Sequence, residues 1–344
     1  MPPLALSMIT LGMISRVLMV TSANHWLTAW FGLELNMISI IPMITKQKHP
    51  RSTEAGKKYF LTQATGSALM LFTSTLNAWQ TGSWNITQLN NEFASIMMIS
   101  ALAMKMGAAP AHFWLPEVLQ GSTLTMALLI TTWQKIAPNH TTSTKSKHTK
   151  SNTMLFIGLL SILVGGWGGI NQTQLRKMMA YSSIAHLGWT ITAISISPNI
   201  ALLNIIIYMI MSTPLFMLLT TTSSKTLQTI TTTWSYSPAP TIMLMLLLLS
   251  MAGLPPLTGF TPKLLILDNL VMHKLTTTAT VMALLSLLSL TFYLRTTYLL
   301  TSMATPSTAQ TTTLWRTKPH YKLSYNSFTP IALFNITILP ALLM

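Results

Sequence analysis

The sequence has 344 residues, of which 50% are hydrophobic and only 7% are charged, and its formal net charge is +15. Soluble domains usually contain about 25% charged residues, so this composition excludes a soluble globular protein and indicates a chain that crosses a membrane many times. The basic residues mostly flank apolar runs and form no stripe with interleaved aromatic residues, which excludes nucleic-acid binding. The sequence has no cysteine, so disulfides, thiolate catalysis and cysteine-bound metals are also excluded.

Eleven apolar segments are predicted to be transmembrane helices, because a bilayer-crossing helix needs about 20 mostly apolar residues. The fold class is therefore an all-α polytopic membrane protein, since a run such as IMLMLLLLSMAGL does not alternate as the strands of a β-barrel do. In chain order the predicted spans are 3–21, 24–45, 59–79, 94–115, 122–138, 153–170, 177–197, 199–221, 240–265, 275–294 and 324–343.

The fourth and ninth spans are predicted to be broken helices. In ISALAMKMGAAPAHFWLPE, Pro110 lacks an N–H and Gly107 loosens the same turn, so the helix should break just after Lys105, near 105–112. The ninth span contains GLPPLTGFTPK, where three prolines and two glycines precede Lys263 and predict a break near 253–263. Broken helices at membrane depth are tolerated where they line a polar cavity.

Matched broken helices in two halves of a chain indicate an internal repeat. We therefore divide the single membrane domain, 1–344, into a first repeat region at 24–138 and a second at 153–294. A basic loop and a C-terminal helix at 295–344 complete the chain.

The distribution of basic residues predicts the orientation of the chain. Four loops on one side hold twelve of the twenty basic residues, and the opposite side holds four, so the N-terminus is placed on the cytoplasm-like or matrix side and the C-terminus on the other. The stretch NHTTSTKSKHTKSN at 139–152 violates this rule. We expect it to shorten the fifth span or to form a longer loop, which leaves the depth of Lys135 open.

Four charged residues are predicted to lie within the membrane: Glu34, Lys105, Lys135 and Lys263. Each would cost about 2.5–3.5 kcal/mol at the bilayer centre unless it faces the protein interior and is paired. Glu34 is the natural partner of Lys105, because no other carboxylate lies at that depth. A lysine in low dielectric without a partner exchanges its proton readily, which suits a relay. The alternative is a set of structural ion pairs that hold the helices in register.

Other polar residues could extend such a path. Ser182 and His186 lie four residues apart, hence on one helix face, and His112 follows the first break. A neutral histidine can both accept and donate a proton, although a buried histidine is also often a hydrogen-bonded packing residue. Arg16 is expected near the end of the first span, and Glu117 and Asp268 near helix ends at the interface.

Five stretches carry a family resemblance: HWLTAWFGLELNMISIIPMI, PRSTEAGKKYFLTQATGSA, ALAMKMGAAPAHFWLPEVLQG, GGWGGINQTQLRKMMAYSSIAHLGW and SMAGLPPLTGFTPKLLIL. They resemble the antiporter-like subunits of mitochondrial NADH–ubiquinone oxidoreductase, respiratory complex I, and in particular the vertebrate chain 2 family. The resemblance implies an antiporter-like fold with two discontinuous helices in inverted repeats. It also implies a proton route through an early carboxylate and lysines on and between the broken helices, and these roles fall on Glu34, Lys105, Lys135 and Lys263. His112 and His186 match polar positions along that route.

The function implied by this resemblance is that of a core membrane-arm subunit in the mitochondrial inner membrane, which translocates protons while NADH is oxidised and ubiquinone reduced elsewhere. No cofactor or metal is expected in this chain, whereas FMN and iron–sulfur clusters are expected in partner subunits. The expected partners are other core and accessory subunits and phospholipids, with cardiolipin a candidate. Two alternatives stay open: a structural subunit whose charges only transmit coupling, and a stand-alone secondary transporter.

Overall fold

The computed structural model describes residues 3–47, 49–89, 91–145, 151–236, 238–302 and, near the C-terminus, 329, 330, 332 and 333. Apart from these last four residues, the predicted last span, 324–343, lies outside the described residues, as does most of the basic loop before it. The described residues form an all-helical fold, as predicted. The β-structure among them consists of two isolated bridges. The helices are α1 Pro3–Thr21, α2 Trp26–Ile44, α3 Pro50–Thr81, α4 Glu92–Met106, α5 Trp114–Gly121, α6 Leu124–Thr131, α7 Trp133–Lys145, α8 Ser151–Ile170, α9 Leu175–Ile194, α10 Pro198–Thr221, α11 Leu227–Thr231, α12 Thr233–Tyr236, α13 Pro238–Ala252, α14 Phe260–Met272 and α15 Thr276–Ser302.

Five helices of the described chain are long and apolar enough to cross a membrane by themselves: α1, α2, α8, α10 and α15. All five coincide with predicted spans. The count of eleven spans stays a prediction, because the remaining spans are broken, more polar or outside the described residues.

The chain divides into two compact units. The first contains Met1–Ile162 and Leu187–Ala201, and the second contains Leu163–His186 and Leu202–Met344. In the first unit an isolated antiparallel bridge joins His25, before α2, to Asn85, after α3. In the second unit an equivalent bridge joins Gln174, before α9, to Thr226, after α10. Each unit also contains one broken helix, and the assignment of two inverted repeats stays a prediction.

Both predicted breaks are confirmed, and both begin at a glycine with left-handed backbone. Helix α4 ends at Met106 and is followed by Gly107 with φ of 78°; the chain becomes helical again at α5. Helix α13 ends at Ala252 and is followed by Gly253 with φ of 84°, before α14 begins. Glycine adopts this conformation without the steric penalty that a β-carbon imposes. The prolines that follow then prevent either helix from continuing.

The third helix is longer than predicted, because it begins at Pro50 rather than at residue 59. The backbone N–H of Arg51 donates to Nδ1 of the His49 side chain at 3.1 Å, and Pro50 occupies a first-turn position where no N–H is needed. Arg51, Lys57 and Lys58, which the sequence places in a loop, therefore lie on α3.

The expectation that the polar stretch after residue 138 shortens the fifth span is wrong. After a short interruption at Thr132, α7 runs through this stretch as far as Lys145. The hydroxyl groups of Thr141 and Thr142 donate to the carbonyls of Pro138 and Asn139, three residues earlier, at 2.9 and 2.7 Å. Threonine satisfied in this way is compatible with a buried helix. The short helices α11 and α12 have no counterpart among the predicted spans.

Candidate functional site

Lys105 is buried in the last turn of α4, immediately before the first break. Its aliphatic stem lies against Gly66 of α3, where an added β-carbon would come within 3.1 Å of the Lys105 Cγ. The side-chain amide of Gln63 on α3 donates to the Lys105 carbonyl at 3.2 Å. This carbonyl lies at the end of a helix, where it lacks a regular partner. Helix α3 thus holds both the backbone and the stem of this lysine.

Glu34 on α2 is partly buried and interacts electrostatically with the Lys105 ammonium group and with Tyr59 of α3. Its Oε2 atom is shielded from solvent and has no hydrogen-bond partner among the described residues. In this part of the chain Glu34 and Lys105 do not form a direct ion pair. The stem of Lys105, from Cγ to Cε, lies along Gly66 of α3, a helix that packs against both α2 and α4. The predicted pair is therefore an interaction at a distance.

Lys135 is buried on α7, and its carbonyl accepts a hydrogen bond of 2.7 Å from the side-chain amide of Asn139. Helix α7 packs against α1, α2 and α4. The helices that carry Glu34 and Lys105 therefore both contact the helix that carries Lys135. The first unit brings three of the four predicted relay residues onto neighbouring helices.

Lys263 belongs to the second unit and lies in the first turn of α14, where it is partly buried. Its Nζ donates to the carbonyl of Ala252, the last residue of α13, at 2.7 Å. A cation at a helix C-terminus satisfies a free carbonyl and interacts favourably with the helix dipole. Lys263 therefore connects the two halves of its broken helix. It lies after its break, whereas Lys105 lies before the other one.

His112 is buried within the first break, where its Nδ1 lies 3.1 Å from the carbonyl oxygen of Pro110 and its ring contacts Phe113. The indole N–H of Trp114 donates to the carbonyl of Met104 at 3.1 Å, which ties the start of α5 to the end of α4. The break is therefore an ordered segment, and His112 lies inside it.

Ser182 and His186 are buried on α9 in the second unit. The Ser182 hydroxyl donates to the carbonyl of Met179 at 2.8 Å, and the His186 ring packs against Tyr208 of α10 at a centroid distance of 5.0 Å. Both residues are thus placed in the interior, as a polar path requires, and the contacts just described are also those of packing residues.

Arg16, which the sequence places near the end of the first span, lies five residues before the end of α1 and contacts α2. Its Nη1 donates to the carbonyl of Leu35 at 2.8 Å, one residue after Glu34. This bond joins the first helix to the backbone of the second, next to the candidate carboxylate.

A charged cluster lies outside the predicted spans, where Lys58 contacts both Glu54 and Glu117 at 2.6 Å. The hydrogen bond and the charge of Lys58 lower the pKa of Glu54, and the bonds from Glu117 and Glu54 raise the pKa of Lys58. All three side chains are substantially exposed, so the cluster contributes little to stability. Glu117 lies near a helix end, as predicted, and Asp268 is exposed on α14.

Sequence reasoning missed a pair of amides beside the predicted relay. Asn36 on α2 and Gln134 on α7 donate to each other's side-chain oxygens, at 3.1 and 3.3 Å. A list of every amide inside an apolar span would have included both residues, but their pairing depends on how the helices pack. In the described part of the chain, three or more His, Asp or Glu side chains do not come together as a metal site would require.

Comparisons with known proteins bear on the family and the fold of this chain. Residues 23–324 match the family described as NADH:quinone oxidoreductase/Mrp antiporter, TM. NADH-ubiquinone oxidoreductase chain 2 of Aquarana catesbeiana is 49% identical over 344 residues, which is 100% of both chains. The fold is similar to a chain of respiratory complex I from Thermus thermophilus, with a TM-score of 0.81, 22% identity and coverage of 96% of this chain and 78% of the other. A chain of the Mrp complex from Dietzia sp. is also similar, with a TM-score of 0.75, 16% identity and coverage of 91% and 64%.

Proposed function

The chain belongs to the NADH-ubiquinone oxidoreductase chain 2 family of antiporter-like membrane subunits, and from this membership we propose how it moves protons. It is a subunit of the H+-translocating NADH–ubiquinone oxidoreductase, respiratory complex I, and other subunits of that complex are its partners. We place NADH oxidation and ubiquinone reduction, with FMN and iron–sulfur clusters, in those partners. This chain then supplies a path for protons across the inner membrane.

The observation that carries the proposal is the packing of α7 against both α2 and α4. These three helices carry Lys135, Glu34 and Lys105, so charged groups that are costly inside a membrane are gathered within one unit. Lys263 of the second unit and the buried His112, His186 and Ser182 complete the proposed route.

The proposed cycle begins when a signal from neighbouring subunits withdraws or neutralises Glu34. Loss of the opposite charge disfavours the protonated amine of Lys105, so its proton passes to Lys135 and then to Lys263. The proton leaves on the intermembrane side, and Lys105 is reprotonated from the matrix side when Glu34 returns. The N-terminus is assigned to the matrix side, because twelve of the twenty basic residues lie outside the predicted spans, or at the end of one, on that side, three of them in the first turns of α3. Phospholipids, cardiolipin among the candidates, are proposed to contact the flanking basic residues.

The test is proton pumping by the intact complex, reconstituted in vesicles, with Lys105→Met in this chain. We expect the complex to assemble and to lose most NADH-driven proton uptake, because methionine keeps the apolar stem and removes the titrating group. Lys225→Met is the matched control, since Lys225 is exposed in the loop after α10. Full pumping by the Lys105 variant would refute the relay.

The alternative of a structural subunit predicts a different result from the same variant: the amount of assembled complex would fall and each remaining complex would pump normally. The match to a family that includes Mrp antiporters favours translocation over that alternative.

A further inference from the structure

The reciprocal amide pair of Asn36 and Gln134 is a polar contact between two helices of the first unit that the proposed relay does not use. Two hydrogen bonds, of 3.1 and 3.3 Å, join the two side chains across 98 residues of sequence. Asn36 is buried and Gln134 is partly buried. Asn36 lies two residues after Glu34, and Gln134 immediately precedes Lys135.

An amide buried in an apolar interior costs free energy unless its donor and its acceptor are both satisfied. The reciprocal geometry provides one donor and one acceptor to each partner, so a rotation of either helix or a sliding movement between them would break both bonds together. The pair therefore fixes the rotation and the axial register of α2 relative to α7.

Helix geometry transmits this constraint to the titrating residues. Successive side chains on an α-helix are about 100° apart, so Asn36 and Glu34 point to different faces, as do Gln134 and Lys135. The amides thus do not need to touch the relay residues. They set the direction in which each relay residue points, because the backbone of a helical turn is rigid.

Two further hydrogen bonds act on the same turns. Arg16 binds the carbonyl of Leu35, between Glu34 and Asn36, and Asn139 binds the carbonyl of Lys135 itself. The bond from Arg16 attaches the turn of Glu34 to α1, and the bond from Asn139 satisfies the Lys135 carbonyl within α7. An amide is neutral and does not titrate near physiological pH, so the pair cannot itself carry a proton.

We propose that Asn36 and Gln134 are positioning residues for proton transfer, and that their reciprocal bonds hold the helix of Glu34 in register with the helix of Lys135. This inference rests on the proposed function. In this proposal the amide pair sets the distance over which the proton is transferred. Neither amide gains or loses a proton itself.

The experiment uses the assembled complex in vesicles and three changes of the pair. Asn36→Gln alone and Gln134→Asn alone change the length of one arm and misalign the bonds, whereas the double swap restores the total length. We expect each single variant to lower the ratio of protons pumped to NADH oxidised, because the misaligned bonds no longer hold the two helices in register. The double swap should recover that ratio to within about twofold, since the reciprocal bonds can form again.

Asn36→Leu combined with Gln134→Met separates positioning from folding. Replacing both partners by apolar groups of similar shape leaves no buried polar atom unsatisfied, so the complex should assemble at the parental level. We expect this variant to pump fewer protons per NADH than the parent and to show a shifted pH profile of pumping, because the bonds that hold the two helices in register are gone.

Parental pumping and pH profile in the apolar variant, or no recovery in the double swap, would overturn the inference. Lys105→Met, measured in parallel, distinguishes this from failure of the proposed function. If Lys105→Met pumps normally, both the relay and the positioning role of the amides are refuted. If Lys105→Met does not pump but the amide variants pump normally, only the positioning role is refuted.

Discussion

Gly253, the first residue of the second break, gives a sharp test of how Lys263 is held. A β-carbon at Gly253 would lie 2.9 Å from Nζ and 3.0 Å from Cδ of Lys263. Gly253→Ala should therefore push the ammonium group away from the Ala252 carbonyl, to which it donates at 2.7 Å. We expect this variant to lose proton pumping to the extent that Lys263→Met does.

The size of the effect follows from two contributions. Gly253 has left-handed backbone, with φ of 84°. An alanine in this conformation costs about 1–2 kcal/mol of folding free energy. Loss of a hydrogen bond from a charged donor adds about 1.5–3 kcal/mol. Gly82 supplies the matched control, since it has φ of 68° and an added β-carbon there would meet no atom within 4 Å. Gly82→Ala should thus cost only the backbone contribution.

The assay compares both glycine variants in the purified complex, by urea-induced unfolding of the chain and by proton pumping in vesicles. Gly253→Ala should be the less stable by about 1.5–3 kcal/mol, and it alone should lose pumping. Equal stability and equal pumping of the two variants would refute the assignment of Lys263 as the connection between the halves of its broken helix.

Two further predictions concern the first unit. Trp114→Phe keeps the aromatic packing but removes the donor to the Met104 carbonyl, so it should destabilise the first break by about 0.5–1.5 kcal/mol. Faster proteolysis or hydrogen exchange between α4 and α5 would report this loss. Unchanged exchange would contradict the prediction. For the surface cluster, Lys58 lowers the pKa of Glu54 below its ordinary value of 4.5, so the contact stabilises the fold above about pH 4.5 and is lost as the pH falls through the lowered pKa. Glu54→Gln should remove this part of the acid dependence of unfolding, and an unaltered acid limb would count against the contact.

The breaks could be read from the sequence because they depend on local chemistry. Pro110 cannot donate a helical hydrogen bond, and Gly107 and Gly253 adopt a backbone conformation that other residues adopt only with strain. These constraints act within one turn of the chain. The same locality explains the failure at residues 139–145, where composition indicated a loop and threonine hydroxyls instead bond to the preceding turn.

The sequence also predicted which charged residues are buried, although it did not predict their contacts. An ionised side chain inside an apolar segment of about 20 residues must lie in the interior, whatever its neighbours are. Glu34 and Lys105 were therefore identified from their position inside apolar segments, as was Lys135, although its depth was left open. That Glu34 interacts with Lys105 without a direct ion pair among the described residues depends on how the helices pack, which hydropathy does not encode.

By itself the sequence determined the membrane class, the two helix breaks and the identity of the charges inside the apolar spans, because composition and short-range sterics decide these features. Tertiary structure alone decided that Lys263 binds the end of the preceding half-helix and that Asn36 pairs with Gln134. Such partners depend on helix rotation and register between distant segments. Those are set by the packing of all the side chains at an interface, and the sequence pattern of one helix does not specify them.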